Sequence, residues 1–384
     1  MIKSLLRWAI PRLIAAAYDA YKYVGDLPRI IASRPPNYNQ IVAALESQER
    51  DRFAIIAPHP TKTLTFSLRN LISALVENDY AVIVLTCNEG SISWLRDEYK
   101  GVYLAPRSIH GRDFGAWKYM VLAMLRSNKL RNRMQRLLLA NDSVYFNKQG
   151  ARSLVSFLTA SKRAWACTYE NYEIHYHAQS FLLGFGVEGI RNPAFGGFWE
   201  KYVPFGGRPH SINKGEVALS SAMRKAVGVP DCYVSSERLA AAIKKMTDEQ
   251  TVIAISALQK CRVGPRDEFR RLLVLTGKVP GRGGGYSAME KSDLAKEMLW
   301  DSVVSLMETK NPTHLVGLVV NQVLEVPLKR DICLRGNYHM AHVVEYCVGY
   351  DATEVEVIKE DLRDKGVPEA YRGVRRILYA HGRL

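Results

Sequence analysis

Gly111-Arg112-Asp113-Phe114-Gly115-Ala116-Trp117-Lys118 opens a stretch that closes, after a helix-length segment, in Leu137-Leu138-Leu139-Ala140-Asn141-Asp142-Ser143-Val144-Tyr145. A glycine-bearing turn, a helix and a return into an apolar strand make the repeating unit of an open α/β sheet. The strand delivers a polar triplet at its carboxyl end. Ligands of such sheets bind outside the carboxyl ends of the strands, often against helix N-termini that favour phosphate. Asn141-Asp142-Ser143 therefore stands where a site needs a carboxylate, either for a divalent cation or for a sugar hydroxyl. The same residue types also cap helices and make turns after buried strands, so the triplet by itself allows both roles.

Working outward from this stretch, the pattern upstream alternates strand and helix. Phe53 to Ala57 is a short apolar strand ending in Pro58-His59-Pro60, and Thr65 to Asn78 has helical periodicity through Leu68, Leu71, Ile72 and Leu75. Ala81 to Thr86 and Val102 to Ala105 read as the second and third strands, with Leu137 to Ala140 as the fourth. Downstream, Ala151 to Ala160 reads as a helix and Trp165 to Thr168 as a strand. Strands separated by helix-length segments imply crossovers and a Rossmann-like, mostly parallel sheet, so the fold class expected is α/β. No GxGxxG follows the first strand and no Walker A motif occurs, which argues against dinucleotide oxidoreductases and P-loop phosphotransferases.

The 53 basic residues exceed the 38 acidic ones by 15, in a chain of 384 residues whose composition is otherwise that of a folded protein. Such an excess attracts polyanions. No common nucleic-acid signature is visible, so nucleotide phosphate and anionic lipid are the partners expected, and nucleic acid is not. Cysteines at 87, 167, 232, 261, 333 and 347 form no CxxC pair, which suits free thiols in a reducing compartment.

At the N-terminus, residues 1 to about 24 read as an amphipathic helix. Ile2, Leu5, Leu6, Ala9, Leu13, Ala16, Ala17, Ala20 and Val24 fall on one arc, with Lys3, Arg7, Arg12 and Lys22 opposite and Trp8 at the edge. This pattern suits a helix lying on an anionic membrane surface, and equally one docked on the protein's own core. Ser33-Arg34-Pro35-Pro36-Asn37 reads as a linker, and no apolar run is long enough to span a bilayer. Three regions follow: 1–45, membrane-associating helix and linker; 46–235, the α/β domain; and 236–384, mostly helical. In the last, helices are expected over 237–246, 249–260 and 294–310, with a glycine-rich mobile loop at 277–285.

Between the fourth strand and the helical region lie further groups with chemistry. His175 and His177 would share a face if extended, the spacing of a two-histidine metal or phosphate contact. Gln179 and Ser180 follow, and Phe195-Gly196-Gly197-Phe198-Trp199 reads as an aromatic turn. Glu216 stands in the first turn of an expected helix after Gly215. There it can stabilise the helix dipole or face a cleft as a general base, with Gly215 letting an acceptor approach.

Taken together, the motif at 111–118, Asn141-Asp142-Ser143, His177-Ala178-Gln179-Ser180, Phe198-Trp199 and Glu216 resemble the rhamnan synthesis protein F family. Asn311-Pro312-Thr313-His314 and Pro327-Leu328-Lys329-Arg330 resemble its C-terminal region more loosely. That resemblance, covering residues 52 to about 340, implies an A-type glycosyltransferase fold. The implied reaction moves a deoxyhexose, L-rhamnose from dTDP-L-rhamnose, to a glycan or lipid-linked glycan of a bacterial cell-surface polysaccharide. It implies Asp113, Lys118, Asn141, Asp142 and Ser143 at the donor, His175, His177, Gln179 and Trp199 at the acceptor or diphosphate, and Glu216 as catalytic base. A divalent metal, Mg2+ or Mn2+, would sit on Asp142 and His177. The implied location is the cytoplasmic face of the bacterial inner membrane, with the protein attached peripherally. Ile109 departs from the pattern, which has asparagine there, and the triplet has one carboxylate where many A-type enzymes have two. Two other functions fit the same residues: transfer of a different sugar, and a catalytically silent assembly protein of a polysaccharide-synthesis complex.

Overall fold

The computed structural model describes residues 2–58, 65–87, 90–261, 288–335 and 338–384. The glycine-rich loop 277–285 and His59-Pro60 lie outside them. Eleven strands are described: β1 (Arg52–Ala57), β2 (Tyr80–Thr86), β3 (Val102–Pro106), β4 (Arg136–Asn141), β5 (Val144–Tyr145), β6 (Trp165–Cys167), β7 (Glu170–Asn171), β8 (His177–Ala178), β9 (Leu182–Gly186), β10 (Asp231–Cys232) and β11 (Leu328–Lys329). Seven of them form one sheet in the order β10-β6-β9-β4-β1-β2-β3. The chain is α/β with a mostly parallel central sheet, as the alternation of apolar runs implies. The pairs β1–β2, β2–β3, β1–β4 and β6–β10 are parallel, while β9 runs antiparallel between β4 and β6.

Strand side chains alternate between two cores. Ala54, Ile56, Val82, Val84, Leu138 and Ala140 face one hydrophobic cluster, with the helices Thr65–Glu77 and Lys148–Ala160. Phe53, Ile55, Ala57, Ile83, Leu137 and Leu139 face the other, with the helix Arg112–Arg126. This burial on both faces explains why the strands read as continuous apolar runs instead of an alternating pattern.

Strand β1 leads to β2 on one side, and β3 returns across the sheet to β4 on the other. The order therefore reverses at the β1/β4 boundary, and their carboxyl ends flank the switch-point crevice where such sheets bind ligands. The helix Arg112–Arg126 starts at this crevice from Gly111, which holds φ 76° in the left-handed region.

The C-terminal region is helical but shares the first core. Leu299, Val316, Val343 and Ile358 all pack in the same cluster as β1, β2 and β4. It also returns a strand: β11 pairs antiparallel with β5, directly after the Asn141-Asp142-Ser143 triplet. The helix Asn39–Ser47 straddles residue 45, and its Leu45 is buried in the second core.

Ile2–Ala32 forms one helix of 31 residues, longer than expected and with Pro11 and Pro28 inside it. It docks on the protein through Ala15, Asp19, Tyr23 and Asp26, while Arg12 and Lys22 of the basic arc are exposed. Ala15 is buried, Asp19 accepts from Arg383 Nη2 (2.7 Å), Tyr23 OH meets His210 Nδ1 (3.1 Å), and Asp26 accepts from Gly206 N (2.8 Å). The apolar arc faces outward instead, with Leu13 67%, Val24 73% and Ile31 75% exposed. No helix among the described residues is long and apolar enough to cross a membrane.

The segment bearing Glu216 departs from expectation. Ser211–Val217 is a π-helical stretch between the turn Arg208–His210 and the α-helix Ala218–Val227, so Glu216 does not open a helix. Nor does Gly215 leave room for an acceptor. It is buried, and a Cβ there would stand 2.7 Å from the Phe114 ring. Close packing of these two residues joins the helix Arg112–Arg126 to the π stretch. Gly215→Ala is therefore expected to destabilise by about 1–3 kcal/mol, the usual cost of overpacking a filled site. Trimming the ring with Phe114→Leu in the Gly215→Ala background should recover part of that loss. Thermal unfolding of the two single variants and the double variant checks this, and strictly additive effects would show that the contact is unimportant.

Candidate active site

At the carboxyl end of β4, Asn141 is buried and braces the crevice. Its Oδ1 accepts from Ser143 N (3.0 Å) and its Nδ2 donates to Asp113 Oδ2 (2.9 Å), joining the triplet to the first turn of the helix Arg112–Arg126. Trp117, one turn on, donates from its indole N–H to Ala140 O (3.3 Å). The other oxygen of Asp113 faces Arg107 Nη2 at 3.5 Å, and Arg107 also donates to Pro58 O at the end of β1. Burial pushes the Asp113 carboxyl up to about 6, against the pull of Arg107 and with help from the Asp142 charge. A shifted carboxyl at a sheet switch point is a mark of a functional site.

Asp142 and Ser143 meet the cations carried in by β11. Lys329 Nζ donates to Ser143 Oγ (2.9 Å), and Arg330 Nη1 donates to the Asp142 backbone oxygen (3.1 Å) and to its Oδ2 (3.3 Å). Arg330 is itself held by Asp361 through two bonds (3.0 and 2.6 Å), and Tyr145 OH donates to the same carboxylate (2.6 Å). Next along the chain, Asp331 accepts from His314 Nε2 (2.7 Å) and pairs with Arg335 Nε at 3.2 Å. Arg208 Nη2 lies 4.0 Å from Asp331. Burial and the nearby Arg335 lower the Arg208 guanidinium to about 10, while Asp331 and Glu216 oppose the shift.

Glu216 lies on the other wall. Its Oε1 accepts from Ser180 Oγ (2.5 Å) and more weakly from Ser180 N (3.4 Å), and its Oε2 is 3.7 Å from His177 Nε2. His177 Nδ1–H donates to the His175 carbonyl (2.8 Å). The two walls touch, because Asn141 N donates to Phe181 O, one residue from Ser180. The cleft thus brings Asp113, Asn141, Asp142 and Ser143 together with Lys329, Arg330, Arg208, Glu216, His177 and Ser180.

Other expected site residues lie elsewhere. Lys118 Nζ donates to Glu200 O (3.2 Å) and Tyr202 O (2.5 Å), so its ammonium caps the helix Pro193–Lys201. The aromatic turn is that helix, and Trp199 within it is fully buried, stacked on Phe114 with centroids 5.9 Å apart. His175 is exposed in the loop between β7 and β8 and shares no extended face with His177. Gln179 is buried, and its backbone N–H donates to Tyr169 O (2.9 Å). Ile109 is 77% exposed.

The donor groups present do not fit a divalent cation well. Asp142 Oδ2 is paired with Arg330, Asp113 with Arg107 and Asn141, and His177 with Glu216 and the His175 carbonyl. Among the described residues no group of three or more His, Cys, Asp or Glu side chains converges to hold a metal ion. Sequence reasoning passed over Arg107 and Arg208. Arg107 follows β3 directly, at the carboxyl end of a parallel strand, and that position alone could have marked it. Nothing in the local sequence of Arg208 announces its place between Glu216 and Asp331.

Comparison of the chain with protein-family models and with curated proteins returns no match.

The shifted carboxyl of Asp113 gives a pH test. Its folded-state pKa lies above the ordinary 3.8, so between that value and about 6 the native state holds more protons than the unfolded chain. This carboxyl therefore costs stability above pH 6, and the cost fades as pH falls toward 3.8. Asp113→Asn should raise the unfolding temperature by about 2 °C at pH 8 and leave it nearly unchanged at pH 4. A lower value at pH 8 would show that the pair with Arg107 outweighs burial.

Proposed function

We propose that this chain is a glycosyltransferase of the A-type fold. In this reading it moves a deoxyhexose, L-rhamnose from dTDP-L-rhamnose, to a glycan acceptor by inverting displacement. The observation that carries the reading is the meeting, at the β1/β4 switch point, of an acid-bearing triplet and a cation-rich strand with a carboxylate held for proton transfer. Such a crevice suits a ligand with a sugar, a ribose and a diphosphate. Asp113 and Asp142 offer acceptors to ribose and sugar hydroxyls, while Lys329 and Arg330 offer donors to the diphosphate.

Single in-line displacement needs a base for the acceptor hydroxyl and stabilisation of the leaving diphosphate. Glu216 is the base: Ser180 fixes one oxygen, leaving the other beside His177 Nε2. Lys329, Arg330 and Arg208 supply positive charge near the leaving group. In this form the reaction runs without a divalent cation.

The exposed arc of the N-terminal helix, Leu13, Val24 and Ile31 with Ile10 and Leu27, would lie on an anionic membrane surface. That supports peripheral attachment at the cytoplasmic face of a bacterial inner membrane. Replacing Leu13, Val24 and Ile31 together by Ser should release the protein from anionic vesicles with an unchanged unfolding temperature. Undiminished vesicle binding would move the anchor elsewhere.

The central test is release of dTDP or UDP from a panel of nucleotide sugars with and without acceptor. Glu216→Gln should lower turnover by about 10²- to 10⁴-fold while preserving donor affinity, because general-base assistance is typically of that size. Near-normal turnover in the folded variant would remove Glu216 as base. Activity should survive EDTA; its loss would restore a metal on Asp142 and His177. A folded chain that releases nucleotide from no donor would favour the silent assembly protein.

A further inference from the structure

We propose that the amino end of the central sheet carries a second ligand site, for a small phosphate-bearing anion. It is separate from the crevice described above, and the proposal does not depend on the glycosyltransferase reading. Parallel pairing of β1 and β4 sets Arg52 directly opposite Arg136. Like charges at facing positions on neighbouring strands repel, and the arrangement calls for a counter-anion. Among the described residues neither arginine pairs with a carboxylate at salt-bridge distance. Arg52 Nη1 donates to Asn78 O (3.0 Å), and Arg136 Nη2 donates to Thr159 O (3.1 Å) and Ser161 O (2.5 Å). Arg136 Nη1 is buried with no hydrogen-bond partner. Burial lowers the pKa of Arg136, against an opposing pull from Tyr80 and with a smaller contribution from the charge of Arg52.

Arg52 and Arg136 are among the residues lining a cavity of about 590 Å³, within the size range of small-molecule sites, while the unpartnered Arg136 Nη1 itself is closed off from it. Lys162 and Arg163 line it as well, against only two carboxylates, Asp51 and Glu188. Four cations facing two anions leave an excess of two positive charges, the charge of a phosphate dianion. Phosphate oxygens can accept from the exposed Lys162 ammonium and Arg163 guanidinium, whereas a single carboxylate would leave one charge over. Strand β4 runs from Arg136 at this cavity to Asn141 at the crevice, a separation of roughly 17 Å at strand rise. One ligand of phosphate size therefore cannot occupy both.

Calorimetric titration of the full chain with pyrophosphate and, separately, inorganic phosphate tests the proposal. Two variants accompany it. Lys162→Glu with Arg163→Glu reverses charge at two exposed positions of the cavity, and Lys329→Ala perturbs the crevice. The expected result is pyrophosphate binding weakened about tenfold or more by the double variant and retained at a second event in Lys329→Ala. Equal affinity for inorganic phosphate would assign the site to free phosphate, and a clear preference for pyrophosphate to a phosphoanhydride ligand; both support it. No saturable binding, unchanged binding in the folded double variant, or binding lost only in Lys329→Ala would overturn it.

Discussion

The guanidinium of Arg330 joins the two halves of the molecule. It reaches Asp142 at the end of the sheet and Asp361 on a distant C-terminal helix, and Tyr145 completes the coordination of the second carboxylate. Breaking a buried charge network by removing one partner typically costs about 3–5 kcal/mol, because the remaining charges stay buried without compensation. The pairing of β11 with β5 supplies the frame, and the network fixes where its cations point. Lys329 owes its position beside Ser143 to the same strand. The electrostatics of the crevice therefore belong to a contact between segments 188 residues apart.

Much of the α/β architecture was legible because parallel strands buried on both faces leave continuous apolar runs, such as Leu137 to Ala140. The helix Arg112–Arg126 was legible from the turn at Gly111, and the triplet at its strand end from the general rule of carboxyl-end binding. What escaped depends on long-range packing. Strand β9 inserts antiparallel between β4 and β6, and its short Leu-Leu-Gly-Phe-Gly run gives no local sign of direction. The π-helical turn at Ser211–Val217 has no local signature either, since it arises where Phe114 meets Gly215.

Composition also misled in identifiable ways. The resemblance puts Trp199 at the acceptor or diphosphate, yet its side chain lies wholly inside an aromatic cluster with Phe114, Phe195 and Phe198. Lys118 shares a motif with Asp113 but points to the carbonyls that end a neighbouring helix. The N-terminal helix was read as amphipathic from its arcs, and the structure docks it through Ala15, Asp19, Tyr23 and Asp26, with Arg12 and Lys22 of the basic arc exposed. Ion pairs and tyrosine contacts can dock a helix as well as apolar burial can, and helical periodicity does not distinguish the two.

The late position of β11 has a consequence for synthesis on the ribosome. Strands β1 to β4 with Asp113 and Asp142 emerge well before Lys329 and Arg330, which are made after most of the chain. Domains fold broadly in the order in which they are translated. Until those last segments appear, the nascent sheet carries Asp113 and Asp142 close together without Lys329 or Arg330, and β5 lacks its partner strand. The growing polypeptide thus passes through a period in which the edge of β5 is uncovered and Asp142 lacks its guanidinium.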